Sequence, residues 1–375
     1  MPDVSPHSLT VQTPVPSQRR PSVSSTTIPT PTDSAVSVDR VPSFPIEIDH
    51  DNLLAGVATV IDSVFPDWRV DTDCKLVQCT NGITNKLVRC THIPTGVSVL
   101  VRTYGRGSGV LIDRRQELVN MLALSLAGKC PPLYARFENG IVYGFTPGEV
   151  FSVQDMSHPH KSQLVARHLA AWHKVPLPVE PAPRLFSTLW RWLDAVPARY
   201  SSDAKAAKFA ASGVSLDKLR IELTKLQKHL EALDSPVVFC HCDLLSGNII
   251  YSPETDSVNF IDYEYGCYSF RGFDIGNHFC EWAGFDCDWS LYPSEQQQKT
   301  WLRAYHAEAT GKQPTDAQLT ALHHEALKFS LAAHFFWAVW ALVQAEISDL
   351  DFDYLEYAVM RLAEFDRRKE AWLAL

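Results

Sequence analysis

Residues 237–282 constrain this chain more than any other part of it; they read VVFCHCDLLSGNIIYSPETDSVNFIDYEYGCYSFRGFDIGNHFCEW. Val237-Val238-Phe239 is a short apolar run of the kind that forms a buried strand. His241-x-Asp243-x-x-x-x-Asn248 follows at once, and a second β-rich run, Ile249-Ile250-Tyr251, follows that. After a turn rich in Pro, Asp and Ser, Val258-Asn259-Phe260-Ile261 gives another strand, which delivers Asp262 at its end. A carboxylate and a carboxamide thus sit on a loop between strands, with a second carboxylate 19 residues after the first. An Asp near an Asn in a loop is often only a turn cap. The ordered set is harder to reach by accident, and it is what phosphoryl transfer from a nucleotide needs. One carboxylate orients an acceptor hydroxyl and takes its proton, while an amide oxygen and another carboxylate hold Mg2+ on the phosphates. Asp243 is the expected base, Asn248 and Asp262 the expected metal ligands, and His241 a residue that shapes the loop.

The preceding part of the chain supplies a nucleotide-binding half. Leu53–Phe65 has helical spacing and stops at Pro66. Residues 75–79 and 86–89 read as strands, and Asn81-Gly82 between them is a hairpin signal. A plain hairpin is one reading; the other is a loop whose backbone amides cover ATP phosphates, with Asn81, Gly82, Thr84 and Asn85 as the nucleotide-side residues. Gly96–Gly105 reads as a buried strand carrying Arg102, a cation that is costly to bury without an anionic partner. A structural ion pair would satisfy it. In kinase-like folds the cation at this place contacts nucleotide phosphate and pairs with a glutamate on the next helix, here Glu117 on the helix expected over residues 111–126. Ile141–Phe145 makes a further strand, and Thr146–Val150 is the expected hinge between lobes.

From Ser157 onward the spacing is mostly helical: 161–174, 187–200, 215–233, 294–310, 316–347 and 352–372, with 204–213 read as an exposed connection. His168 and His173 read as packed or solvent-facing residues. The apolar segment Phe329–Val343 falls short of the ~20 residues of a spanning helix and reads as a buried helix of a large lobe, so no transmembrane segment is expected. Residues 1–46 are roughly half Ser, Thr and Pro, too poor in apolar groups to offset ordering entropy, and read as a disordered tail. A mitochondrial presequence, a phosphorylated regulatory segment and a passive extension all remain open for it. A net charge of −9 argues against a nucleic-acid partner, which would need a basic footprint. Nine cysteines without paired C-x-x-C spacing, and no secretory signal, read as reduced thiols of a cytoplasmic protein, with no zinc site at Cys240-His241-Cys242.

The central stretch resembles the phosphotransferase motif of the choline and ethanolamine kinases, and Ile261–Tyr265 through Gly276–Trp282 resembles their second signature. The resemblance covers roughly residues 74–370 and includes the G-I-T-N-K-L loop at Gly82–Leu87, the V-R-x-Y-G of Arg102 and the I-D-R-x-x-E of Glu117. At the loop this chain has Asn81 where the family often has Gly. The resemblance implies an α+β, two-lobed protein-kinase-like fold, with a small β-rich N-terminal lobe over 47–148 and a larger, mostly helical catalytic lobe over 149–375. It also implies that H-F-F-W-A-V-W-A-L-V-Q-A carries the tryptophans that wall an amino-alcohol site, Trp337 and Trp340, joined by Tyr265, Tyr357 and Glu281. Aromatic faces and a carboxylate are what an ammonium group needs. Glu281–Phe285 and Asp288–Pro293 are more similar to the ethanolamine branch, whereas Trp282 leans towards choline kinases. The implied reaction is ATP- and Mg2+-dependent phosphorylation of ethanolamine, feeding phosphatidylethanolamine synthesis through CDP-ethanolamine. The alternative is a choline or dual kinase; a homodimer is compatible with either. A choline-preferring or aminoglycoside-type kinase and a non-catalytic nucleotide-binding scaffold are the competing readings, and the intact Asp243, Asn248, Asp262 and Arg102 speak against the scaffold.

Overall fold

A computed structural model of the chain describes residues 36–79, 86–105 and 107–375. The N-terminal part is a six-stranded sheet built from β1 (Ser43–Phe44), β2 (Cys74–Cys79), β3 (Lys86–His92), β4 (Ser98–Thr103), β5 (Leu133–Phe137) and β6 (Gly140–Gly144). Their spatial order is β1-β5-β6-β4-β3-β2. Only β1–β5 is parallel; the remaining pairs are antiparallel, with Cys79 opposite Leu87 at the closed end of β2–β3. The loop between those strands, with Asn81, Gly82, Thr84 and Asn85, lies outside the described residues. Helix α1 (Leu53–Val64) lays Leu53, Val57, Val60 and Ile61 over the sheet. They meet Val88, Cys90, Val99, Val101 and Val142, the inward residues of alternating strands. Phe65 ends the helix because the following Pro66 disfavours helical geometry in the residue before it. After the single turn α2 (Val70–Asp73) and the central strands comes α3 (Arg114–Leu126), whose N-cap Asp113 accepts from the Gln116 amide at 3.1 Å.

Folded chain begins earlier than the expected boundary at 46. Val36, Val38 and Val41 are buried, the first two packing with Leu118 and Met121 of α3, and β1 pairs with β5. Three isolated valines among Ser, Thr and Pro give no periodic signal, so composition alone misses the segment.

The C-terminal part contains β7 (Glu149–Val150), α4 (Val153–Met156), α5 (Pro159–Trp172), α6 (Leu185–Ala195), α7 (Asp203–Ala211) and α8 (Leu216–Glu231). Next come β8 (Val237–Cys240), β9 (Ile249–Ser252), β10 (Ser257–Phe260), β11 (Cys267–Phe270), α9 (Arg271–Cys280), α10 (Glu295–Thr310), α11 (Asp316–Ile347) and α12 (Tyr354–Leu373). Two small sheets, β10-β9-β7 and β11-β8, frame the loop that carries Asp243. The exposed connection expected at 204–213 is instead helix α7. Its Ala-rich sequence favours helix without an apolar stripe, Ser202 caps it, and Lys208 pairs with Asp353 and Glu356 beside α12. Helix α11 is long and apolar enough to cross a membrane, but 94% of its apolar window is buried inside the protein, among α9, α12, α6 and α10. A helix apolar all round is what a central position selects. Helix α9 lies close against it because Gly272 and Gly276 face it. A Cβ on Gly276 would sit 2.5 Å from the Ala326 carbonyl oxygen and 2.7 Å from the Ser330 nitrogen.

Candidate active site

Helix α9 fixes the loop that follows β8. Asp274 is fully buried, and its two carboxylate oxygens accept the backbone N–H groups of His241 and Cys242, each at 2.8 Å. The same carboxylate accepts from His173 Nε2 at 2.9 Å, and His173 Nδ1 meets the Tyr305 hydroxyl at 2.6 Å. Burial alone would raise the Asp274 pKa; His173 and the loop amides override it and hold it below the usual carboxylate range. Asn277 Nδ2 donates to the Cys242 carbonyl at 3.1 Å, and His278 Nδ1 to that of Leu244 at 3.0 Å. The loop needs this bracing because Cys242 has φ 67°, a left-handed conformation with no glycine to ease it. His241 ties the loop to the next strand: Nε2 donates to the Ile261 carbonyl at 3.0 Å, while Nδ1 accepts from the Asp243 N–H at 3.3 Å.

Asp243 and Asn248 are brought together at the far end of this loop. Asn248 Nδ2 donates to the Asp243 carbonyl at 2.8 Å and to its Oδ2 at 3.0 Å. That spends the amide nitrogen and leaves Asn248 Oδ1 as the acceptor on offer. Asp262, at φ 63° just past β10, faces Arg102 at 3.4 Å and keeps 34% of its side chain exposed. Burial comes first and then the carboxylates of Asp262, Glu281 and Glu264 in pushing Asp243 well above the usual carboxylate range. Partial burial and then Glu264 push Asp262 above the usual carboxylate range, against the pull of Arg102 and Arg114. The donor set of one carboxylate on a short loop, a carboxamide oxygen and a nearby second carboxylate consists of hard oxygens, which suits Mg2+ rather than a softer ion.

Arg102 and Glu117 also meet. The Arg102 guanidinium, buried on β4, pairs with the fully buried Glu117 of α3 and lies 3.9 Å from Glu264. Arg114 pairs with the same two acids, at 3.1 Å from Glu117 and 3.0 Å from Glu264. The expected first turns of α3 thus contribute a second cation that sequence reasoning did not single out. A pair spaced Arg114…Glu117, at i,i+3, was the signal available for it.

The residues expected to wall an ammonium site form one aromatic group. Tyr265 and Trp337 ring centres lie 5.5 Å apart at 78°, Trp337 and Trp340 5.4 Å apart at 82°, and Trp340 and Tyr357 6.5 Å apart. Phe285 and Phe352 extend the group at 6.1 and 5.8 Å from Tyr357. Trp340 Nε1 donates to the Tyr265 hydroxyl at 2.8 Å, and Trp337 Nε1 to Asn277 Oδ1 at 2.7 Å. Glu281 reaches this region, but not as a free counter-charge. Its Oε1 accepts from Arg361 Nη1 at 3.1 Å, and the same nitrogen donates to the Tyr357 hydroxyl at 3.2 Å. Arg361 is fully buried. Burial raises the Glu281 pKa, and Arg361 opposes the rise. Arg361 lies four residues after Tyr357 on α12; a lone Arg in an otherwise core-facing stripe was its only sequence signal.

The arrangement joins an aromatic group, a carboxylate on a loop and a cation–acid network beside it, and the chain that builds it is similar to known proteins over most of its length. Residues 76–366 match the choline/ethanolamine kinase family. The chain is 39% identical over 347 residues to a protein of Nematostella vectensis named "Probable ethanolamine kinase", covering 89% of this chain and 99% of that one. It is 37% identical over 339 residues to ethanolamine kinase 2 of Rattus norvegicus, covering 89% and 86%. Among solved structures, an ethanolamine kinase of Plasmodium vivax superposes with a TM-score of 0.77 at 29% identity, covering 84% of this chain and 89% of that one. With the loop, its bracing helix and the matched span in agreement, the chain belongs to the choline/ethanolamine kinase family.

Proposed function

We propose that this protein transfers the γ-phosphoryl group of ATP to the hydroxyl of ethanolamine, giving phosphoethanolamine. The observation that carries the reading is the Asn277 amide. One end of it accepts from Trp337, a wall of the aromatic box, and the other donates to the Cys242 carbonyl, next to Asp243. One side chain thereby links the proposed site for an ammonium group to the loop of the proposed base. A short amino alcohol, with those two groups two carbons apart, matches such a coupling. Asp243 orients the hydroxyl and takes its proton as the bond to phosphorus forms. Its raised pKa makes it a better proton acceptor than an ordinary carboxylate once it is ionised. Arg102, held by Glu117, steadies nucleotide phosphate from the sheet side. Asn248 Oδ1 and Asp262 are the residues that would hold Mg2+, which when bound neutralises charge on the phosphates.

A second reading, choline as an additional acceptor, is favoured by one feature. Glu281 is already paired with Arg361, so the box offers a primary ammonium fewer unclaimed acceptors than its sequence promised. Aromatic faces attract a methylated ammonium without needing acceptors. The test is ATP consumption by the purified protein with ethanolamine, with choline and with no acceptor. Turnover that depends on ethanolamine, with a higher kcat/KM than for choline, is the expected result. Absence of acceptor-dependent turnover refutes the reading, and a preference for choline replaces it with the second.

A further inference from the structure

Two thiols meet beside the catalytic loop with no part in the reaction described above. Cys242 Sγ lies 3.8 Å from Cys267 Sγ. Both cysteines are free, Cys242 being buried and Cys267 half-buried. They come from different elements. Cys267 opens β11 directly opposite Cys240 of β8, and the left-handed turn at Cys242 swings the chain back beyond the end of that ladder. A narrow cleft of about 50 Å3 counts Cys242 and Cys267 among its lining residues. Arg184 and Asp113, half-exposed and 3.8 Å apart, also line it. A space of that size admits one or two water-sized molecules and excludes a peptide or glutathione.

We propose that Cys242 and Cys267 form a site of reversible oxidation, closed into a disulfide by hydrogen peroxide entering through this cleft. Peroxide converts the Cys267 thiol to a sulfenic acid with release of one water. The Cys242 thiol then attacks that sulfur, its proton leaving with the hydroxyl as a second water, and the two electrons removed from the thiol pair have reduced the peroxide O–O bond. Cys267 is the sulfur the oxidant meets first, because it is the less buried. The Cys240 thiol beside Cys242 and the Cys242 thiol beside Cys267, and then burial, hold both sulfurs in the protonated form, so the reaction is slow and answers to sustained oxidant rather than to brief exposure.

The bond has a mechanical consequence. Closing it draws the sulfurs from 3.8 Å to about 2.05 Å. Cys242 cannot yield freely, since its N–H is held by Asp274 and its carbonyl by Asn277. The strain therefore falls on these clamps and on the neighbouring Asp243 and, ahead of β11, on Tyr265, two residues before Cys267. This loss of activity rests on the proposed role of Asp243; the crosslink itself does not.

The experiment treats the full-length protein with hydrogen peroxide under non-reducing conditions. It follows ATP consumption with ethanolamine and maps crosslinked peptides by mass. The expected result is a peptide pair joined through Cys242 and Cys267, two hydrogens lighter than the sum of its parts. Activity should fall by about 10²-fold as the crosslink accumulates and return with dithiothreitol. Cys267→Ser is expected to start with parental activity and to resist peroxide. The mapping on the parent decides the matter even where the variant folds poorly. A crosslink between Cys240 and Cys242, sulfinic or sulfonic acid without a crosslink, or inactivation of Cys267→Ser as fast as the parent each overturns the proposal. The crosslink is read by mass, so it stands or falls independently of which substrate the enzyme phosphorylates.

Discussion

Replacing Asp274 by Asn changes one atom of the side chain and tests how the catalytic loop is held. The parent carboxylate accepts three N–H groups, from Cys242 on one oxygen and from His241 and His173 on the other. An amide has one oxygen. Its best orientation keeps the oxygen on His241 and His173, leaving the NH2 group facing the Cys242 N–H, donor against donor. A buried donor without an acceptor costs about 1–3 kcal/mol. The same N–H is what clamps Cys242 at φ 67°, a conformation that itself costs of order 1–3 kcal/mol outside glycine. Once the clamp is lost the strain is free to relax, and relaxation moves Asp243, the next residue. Asp274→Asn is therefore expected to lower the unfolding free energy by about 1–3 kcal/mol. It should lower kcat by about 10²-fold, the scale of a displacement near 1 Å, with a smaller change in KM.

Thermal or urea unfolding and steady-state ATP consumption measure the two effects. A second variant isolates the strain. Cys242→Gly in the Asp274→Asn background gives the loop a residue that adopts the left-handed conformation unaided, and part of the lost kcat should return. The pH dependence carries a sign as well. The folded-state pKa of Asp274 is depressed, so its contribution to stability is complete above the unfolded value of about 3.9 and is lost as pH falls through the folded value. The gap in stability between parent and variant is thus constant at neutral pH and narrows only in acid. Parental kcat and parental stability in Asp274→Asn would refute the reasoning.

Asp243→Asn should reduce kcat by about 10²–10⁴-fold while nucleotide binding, read by calorimetry, changes little; near-full turnover removes the base assignment. Asp262→Ala and Asn248→Ala should each raise the Mg2+ concentration needed for half-maximal rate, and added Mg2+ should partly rescue Asn248→Ala; unchanged Mg2+ dependence in both means the ligands are misassigned. Arg361→Met should be the more damaging half of its ion pair with Glu281, because it strands a buried carboxylate at a cost of about 3–5 kcal/mol, and the double variant with Glu281→Gln should recover stability; simple additivity of the two effects in unfolding experiments excludes the coupling. Removing residues 36–46 from a chain already lacking 1–35 should lower the melting temperature, since it strips three buried valines and strand β1; an unchanged melting temperature means that this packing contributes nothing.

What could be read in the sequence and what could not divide along a physical line. Strand, loop and strand around Asp243, and the helices with regular apolar spacing, were legible because each is specified by neighbours within a few residues. Helix α7 was not, since an Ala-rich surface helix carries propensity without periodicity. Packing of Val36 and Val38 was not, since it depends on a partner helix some eighty residues away. The members of the aromatic box came from resemblance rather than from spacing: tryptophans on a helix as apolar as α11 look the same whether they face a ligand or a core.

The polar residues of α9 show how a site hides in a stretch already recognised as important. Asp274, Asn277 and His278 are all buried in a helix whose other members are mostly Phe, Ile, Gly and Cys. Buried polar groups have to find partners, so three of them within five residues signal a polar surface facing the helix, here the backbone of the 241–244 loop. The same argument extends to Arg361. A fully buried guanidinium requires an acid and further acceptors, and it finds Glu281, the Tyr357 hydroxyl and the Ala333 carbonyl. The resemblance implied Glu281 as an anion for an ammonium site; that its charge is shared with Arg361 follows only once α12 is laid across α11. If the aromatic group takes the substrate as proposed, selectivity there would depend on a residue that need not touch it. Under the proposed function, the strength of the Arg361–Glu281 pair would set how much negative charge remains for a primary ammonium, while the rings of Trp337, Trp340, Tyr265 and Tyr357 would attract either amino alcohol.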